Sequence, residues 1–292
     1  MIDYDMPLYR PPSEGNNLII QATLGCSFNQ CSFCSMYKRK RYQVRPIEAV
    51  FADIDHAASV WPDAARVFLA DGDALALESE HLLRILEHLQ QSLPRLTRVS
   101  CYATPANIRR KTLAELELLR SHRLTLYYFG IESGSDLILK KITKGATSRS
   151  IRESMKKAHD AGVKLSSTVV LGLGGRAYWQ EHIDGTIALL NQAPSTYVST
   201  LQLYLEENVQ QEFTDKFKEP FRMQDDWGIL AEQERLLSAL EPPIPIIFRS
   251  NHASNALALA GNLPKDRERL LSEIHQVQRG ERRVRPTFLR GL

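Results

Sequence analysis

Apolar, β-branched runs recur along this chain with amphipathic stretches between them, and that rhythm constrains the fold more than any other feature. The runs at 18–23, 66–70, 97–102, 124–131, 164–171 and 197–204 read as strands. Helical patterns fill the gaps, most clearly at 48–59, 79–92, 113–121 and 150–161, the last closed by Gly162 as a C-terminal cap. Alternating βα units of this length build a parallel sheet with right-handed crossovers and a covering of helices. The expectation is an α/β fold, a partial (β/α)6 TIM-like barrel over 18–205. Residues 1–17, rich in proline and polar groups, read as a surface strap. The remainder, 206–292, reads as an extension packed on the barrel and covering its mouth. In it a helix near 224–240 stops at Glu241-Pro-Pro-Ile-Pro245. A short apolar run at 246–248 follows, then a polar stretch, then a helix after Pro264 with Leu270, Leu271, Ile274 and Val277 on one stripe.

Directly after the first apolar run comes Gly25-Cys26-Ser-Phe-Asn-Gln-Cys31-Ser-Phe33-Cys34. Three thiolates on one short loop suit a soft metal centre and leave one coordination position open, because the fourth cysteine, Cys101, lies far along the chain. A structural zinc site is normally closed by four ligands, and no second Cys-x-x-Cys or His pair completes one. A bunched, odd trio equally fits neither a disulfide framework nor a secreted scaffold. An iron-sulfur cluster with one non-cysteine ligand accounts for the pattern best, with zinc as the alternative. Cys101 reads as a small buried hydrophobe.

Composition narrows the partners. With 43% hydrophobic and 24% charged residues in 292, the chain can bury a sizeable core. Lys plus Arg at 37 against Asp plus Glu at 34 leaves +3, so charge does not indicate nucleic acid. The basic residues cluster at Lys38-Arg39-Lys40-Arg41 and at Arg279, Arg282, Arg283, Arg285 and Arg290, which read as solvated faces. No run approaches the roughly 20 apolar residues of a membrane span, and the start lacks a signal-peptide pattern. No membrane partner and a cytoplasmic setting are expected.

The cysteine loop resembles that of the radical S-adenosylmethionine (SAM) enzymes. The common loop has three residues between its first two cysteines and two between the last pair; here the first gap holds four. Later segments match in chain order. Asp71-Gly72-Asp73 resembles the family's Gly-Gly-Glu element, with Asp71 in place of the first glycine. Gly130-Ile-Glu132-Ser-Gly-Ser-Asp136, with Lys144 after it, is similar to a segment of the branch that includes coproporphyrinogen dehydrogenase, tRNA methylthiotransferases and the Elp3 catalytic subunit. Gly172-Leu-Gly-Gly175 resembles the family's Gly-Leu-Pro-Gly turn. That stretch also satisfies a dinucleotide fingerprint at Gly172, Gly174 and Ala177, but Asp184 comes too early and Glu206 too late for its acidic partner.

The resemblance implies a [4Fe-4S] cluster on Cys26, Cys31 and Cys34, with SAM on the remaining iron. It implies reductive cleavage of SAM to methionine and a 5′-deoxyadenosyl radical that takes hydrogen from a substrate. By the same likeness Phe33 packs beside the adenine, Gly72 and Asp73 receive the ammonium group, and Glu132 and Lys144 address the ligand, Lys144 through its carboxylate. Ser166, Thr168 and Gly172 line the nucleoside. A reducing partner such as flavodoxin or ferredoxin is implied. With only Cys101 left over, no auxiliary cluster is expected, which counts against methylthio transfer; with 25 residues before Cys26, no cobalamin domain is expected. Arg249, Asn251, His252 and Asn255 are the candidates for substrate, the alternative being that Ser250 or Asn251 caps a following helix. Two other readings stay open, an iron-sulfur electron carrier or redox sensor, and a zinc-stabilised dinucleotide-binding module.

Overall fold

The computed structural model describes residues 2–290. Its Cα framework divides into two compact units. The first comprises residues up to Asn29, Met36–Phe129 and Lys157–Leu165; the second comprises Gln30–Ser35, Gly130–Lys156 and the chain from Ser166 on.

The first unit begins with β1 (Leu18–Gln21) and a short antiparallel pair, β2 (Thr23–Leu24) with β3 (Gln43–Val44). The helix α1 (Ile47–Val60), β4 (Arg66–Ala70), α2 (Ser79–Ser92), β5 (Arg98–Ala103), α3 (Pro105–Arg110), α4 (Leu113–Ser121) and most of β6 (Leu124–Glu132) follow. β1, β4, β5 and β6 pair in parallel, with Ile19 abreast of Phe68 and Phe68 abreast of Ser100. Parallel strands covered on both faces need near-continuous apolar sequence, and Val67, Phe68, Leu69 and Ala70 of β4 are all fully buried. Each such large side chain contributes about 1.5–3 kcal/mol. Local chemistry sets the helix boundaries: Thr104 and Thr112 both close capping boxes at the starts of α3 and α4. Gly162, at φ +72°, takes the left-handed conformation that ends α6 (Ser148–Asp160).

The second unit holds the end of β6, α5 (Asp136–Lys141), most of α6 and of β7 (Lys164–Leu171), α7 (Gly175–Leu190), β8 (Tyr197–Gln202), α8 (Glu207–Phe217), α9 (Asp226–Ala239), β9 (Ile246–Ser250), β10 (Leu259–Leu263) and α10 (Arg267–Gln278). β7, β8 and β9 pair in parallel, and β10 returns antiparallel along β9. The strand order is β1-β4-β5-β6-β7-β8-β9-β10, a mostly parallel eight-stranded sheet. The expected α/β partial-barrel class is therefore present, with two strands more than the six read from sequence.

The differences have physical causes. No helix follows the apolar run at 246–248; the chain turns through Asn251–Leu257 into β10, an edge strand. Only its two ends, Leu259 and Leu263, are buried, so its pattern carries almost no periodic signal. The N-terminal stretch is not wholly superficial. Glu14 is fully buried, taking hydrogen bonds from Arg98 Nη2 (2.8 Å), Ser100 Oγ (3.1 Å) and Tyr128 Oη (2.5 Å), while Tyr4 and Leu8 pack on Ile19, Phe68 and Ala70. Two of the tail arginines are engaged as well. Arg290 forks onto Asp226 at 2.7 Å through both nitrogens, and Arg285 donates to the carbonyl of Ala253 at 2.8 Å.

Candidate active site

The cysteine loop leaves β2 at Gly25, whose φ of +68° turns the chain sharply. In the first unit it lies against the end of β4. The amide of Gly72 donates to the carbonyl of Gly25 at 3.0 Å, and a Cβ on Gly72 would sit 2.8 Å from that oxygen and 2.9 Å from the Cβ of Cys26. Glycine at 72 is thus a condition for Cys26 to stand where it does. Asp71 is fully buried beside it, accepting the Gly25 amide (3.2 Å) and Lys40 Nζ (3.1 Å). Burial pushes the Asp71 carboxyl up, opposed by Tyr37, Lys40 and Gly25. Lys40 also pairs with Asp5 at 2.8 Å, so one of the basic residues expected in solvent is an internal strut.

Asp73 is likewise buried. Its carboxylate accepts the Ser27 amide (2.8 Å), the Ser27 hydroxyl and Asn107 Nδ2 (3.2 Å), and burial raises its pKa against those bonds. Tyr42, absent from the sequence reading, stands in this neighbourhood: burial, Asp73 and Cys26 together push its phenol up to about 12. A tyrosine after a basic run gives no signal of that placement.

The second unit carries Cys31 and Cys34. Phe33 between them packs on Ile138, Ile142, Val170, Leu173, Leu203, Phe213 and Phe217, and the Ser32 amide donates to the carbonyl of Ile142 at 2.9 Å. At the end of β6, Lys144 Nζ donates to Glu132 Oε1 at 2.8 Å, with each side chain only 10% exposed. Burial alone would lower the Lys144 pKa, but Glu132, Cys31 and Cys34 outweigh it and drive it upward. The two residues expected to address one ligand therefore already face each other, in the electrostatic field of two cysteines. Gly130 makes the room. A Cβ there would stand 2.0 Å from Glu132 Oε1 and 2.8 Å from Lys144 Nζ.

Ser166 and Thr168 lie on one face of β7, half-buried, while Leu165, Ser167 and Val169 on the other are fully or almost fully buried. Register sets Thr168 beside Ser199 of β8, and Ser199 beside Arg249 of β9. Gly172 has φ +85°, and its amide donates to Glu232 Oε2 at 2.7 Å. Glu232, on α9, is fully buried, which lifts its carboxyl to about 7 against the bonds from Gly172 and Gln224. It too escaped sequence reading, since a lone glutamate in a helix looks solvated.

Of the substrate candidates, Arg249 is exposed with its guanidinium 5.6 Å from the centroid of Tyr197, and Asn251 is exposed. His252 is partly buried, which lowers its pKa together with Arg285; its Nδ1 accepts the Ser254 amide at 3.2 Å. Asn255 is buried. Its Oδ1 accepts the Gln202 amide and its Nδ2 donates to the Thr200 carbonyl and Ser250 Oγ, each at 2.8 Å, so its amide ties this loop to β8 and β9.

The donor set fits a cluster. Among the described residues no three His, Cys, Asp or Glu side chains gather about a single ion. A cubane asks for something different, one thiolate for each of three irons, and three cysteines on one loop meet that demand. Cys101 lies on β5, fully buried, and burial pushes its thiol well up.

The three-cysteine loop follows β2, beyond the C-terminal end of β1, the side on which parallel α/β barrels carry their functional groups. Residues 20–187 match the family model of the radical SAM superfamily, more than half of the chain. The chain belongs to the radical SAM superfamily, whose members are enzymes, and its cofactors are those of the family, a [4Fe-4S] cluster and SAM. Among curated relatives, a Methanocaldococcus jannaschii protein carrying a methylthiotransferase name is 26% identical over 168 residues, covering 54% of this chain and 36% of that one. The heme chaperone HemW of Bacillus subtilis is 20% identical over 183 residues, covering 60% and 48%. The chain thus matches less than half the length of either. Solved structures agree on the fold: coproporphyrinogen III oxidase HemN of Escherichia coli superposes at a TM-score of 0.57 with 13% identity, over 76% of this chain and 52% of that one. Elp3 of Methanocaldococcus infernus gives 0.53 with 14% identity, over 91% and 64%. No helix among the described residues is long and apolar enough to cross a membrane.

Proposed function

We propose that this chain is a single-cluster radical SAM enzyme that abstracts hydrogen from a substrate seated against the loop after β9. The observation that carries the reading is the buried Glu132–Lys144 pair set under Gly130, in the field of Cys31 and Cys34. A dedicated cradle of opposite charges beside thiols suits a ligand that is itself a zwitterionic amino acid.

Cys26, Cys31 and Cys34 would hold the cluster, and Gly72 lets the first of them approach the end of β4. When bound, the cluster and SAM supply reductive cleavage of a sulfonium bond and, through it, hydrogen-atom abstraction. Lys144 offers its ammonium to a carboxylate, and the Asp73 carboxylate, fixed by Ser27 and Asn107, offers charge to an ammonium. Phe33 gives an apolar wall for a base, while Ser166 and Thr168 present hydroxyls to a ribose. Buried Gly172, with its amide on Glu232 and its carbonyl on the Gly175 amide, would shape the turn beside the nucleoside. Arg249, Asn251 and His252 line the substrate's side, and Asn255 keeps their loop in register. An electron donor of flavodoxin or ferredoxin type completes the system.

Equilibrium binding of SAM to anaerobically reconstituted protein tests the reading. Saturable binding that needs the cluster agrees with it; a full cluster with no affinity for SAM points instead to an electron carrier.

A further inference from the structure

We propose that α7 is a latch that holds Glu132 in its working conformation, with His182 and Thr186 as positioning residues and Gly185 as the point of contact. Glu132 has a φ of +63°, a left-handed backbone that a non-glycine residue keeps only where its surroundings over-determine it. The Ser133 amide donates back to the Ile131 carbonyl at 2.8 Å, closing a tight three-residue turn about Glu132. That turn is what points its carboxylate at Lys144.

One face of α7 supplies the surroundings. His182 is fully buried, with Nε2 3.1 Å from the carbonyl of Val170 and Nδ1 2.8 Å from Ser133 Oγ. A carbonyl only accepts, so Nε2 carries the proton and Nδ1 accepts from Ser133. Burial lowers the imidazole to about 4, which keeps this neutral tautomer in place. A single ring therefore joins the residue after Glu132 to the strand that leads into Gly172, two strand ends that the proposed function assigns to one ligand. One turn along α7, Thr186 Oγ1 accepts the Gly134 amide at 2.9 Å and donates to the His182 carbonyl at 2.7 Å. Between them the helix and the turn meet at glycines. A Cβ on Gly185 would lie 2.8 Å from the Ser135 amide nitrogen, and one on Gly134 would lie 2.2 Å from the Gly185 carbonyl. Ser135 then caps α5, so the latch reaches the helix that leads to Lys144.

The consequence for SAM rests on the function proposed above; the consequence for the ion pair does not. The test uses cluster-loaded protein and its Thr186→Val, Gly185→Ala and His182→Gln variants, with two readouts. The first is the acetylation rate of Lys144 by acetic anhydride, followed by mass spectrometry without SAM. The latch predicts at least a fivefold faster reaction in Gly185→Ala and Thr186→Val, at unchanged iron content. The second is the SAM dissociation constant, expected to rise at least tenfold in the same variants. Faster acetylation with unchanged SAM affinity upholds the latch and overturns the assignment of Glu132 and Lys144 to SAM. Unchanged acetylation in the isosteric Thr186→Val and in Gly185→Ala overturns the latch, whatever His182→Gln does to folding.

Discussion

Charge placed out of water has to be paired, and the pairs here mark where a ligand is expected. Lys144 and Glu132 satisfy each other at 2.8 Å. Removing either leaves the other buried and uncompensated, at a cost of about 3–5 kcal/mol in the neighbourhood of the site. Lys144→Ala and Glu132→Ala are therefore expected to keep iron but to weaken SAM binding at least tenfold, measured by equilibrium dialysis; unchanged affinity in both would remove these residues from the site. Glu232 makes a different statement. Its carboxyl is raised to about 7, so between 4.5 and 7 the folded protein holds a proton that the unfolded chain has released. Its contribution is complete below about 4.5 and is lost as the pH rises through about 7, a change on the order of 3 kcal/mol. Thermal melts of wild type against Glu232→Gln from pH 5 to pH 8 are expected to show the wild type losing ground by several degrees as pH rises. Parallel curves would contradict the burial argument. His182, lowered to about 4, leans the other way and is common to both proteins in that comparison.

At the scale of elements, the parallel strands are legible because each carries a short run rich in apolar and β-branched residues: β4 spans Arg66–Ala70 and β7 spans Lys164–Leu171, the same bounds that the sequence runs have. The cysteine loop stands out in sequence by its spacing, whereas Glu132 and Lys144 are singled out only by the resemblance of their segment to one in a known family. What escaped are contacts between distant elements. Tyr42 near Asp73, Glu232 under Gly172 and His182 behind Ser133 each look ordinary in sequence and acquire meaning only through burial. β10 escaped because an edge strand with polar middle residues has no period to read. Two outcomes follow. Gly72→Ala drives a methyl into the Gly25 carbonyl and Cys26, so it is expected to lower iron and sulfide per chain after reconstitution while the circular dichroism of the fold persists; full iron content would show that the loop can yield. Deletion from residue 246 removes β9 and β10 with buried Ile246, Phe248, Leu259 and Leu263, and is expected to unfold the second unit. The loop is better probed by Asn251→Ala and His252→Ala, whose expected effect is loss of metabolite-stimulated turnover with basal SAM cleavage intact.

Among the described residues the parallel sheet ends at β9 and gains one antiparallel strand, β10, and under the proposed function its three-cysteine loop holds a single cluster. Iron and sulfide of about four each per chain are expected after reconstitution. The most direct test is to incubate the reduced, reconstituted protein with SAM and quantify 5′-deoxyadenosine and methionine by mass spectrometry. The account predicts both products in equal amounts, slowly without substrate, and none when Cys26, Cys31 and Cys34 are replaced together. A fully loaded, reducible cluster that leaves SAM intact would contradict it.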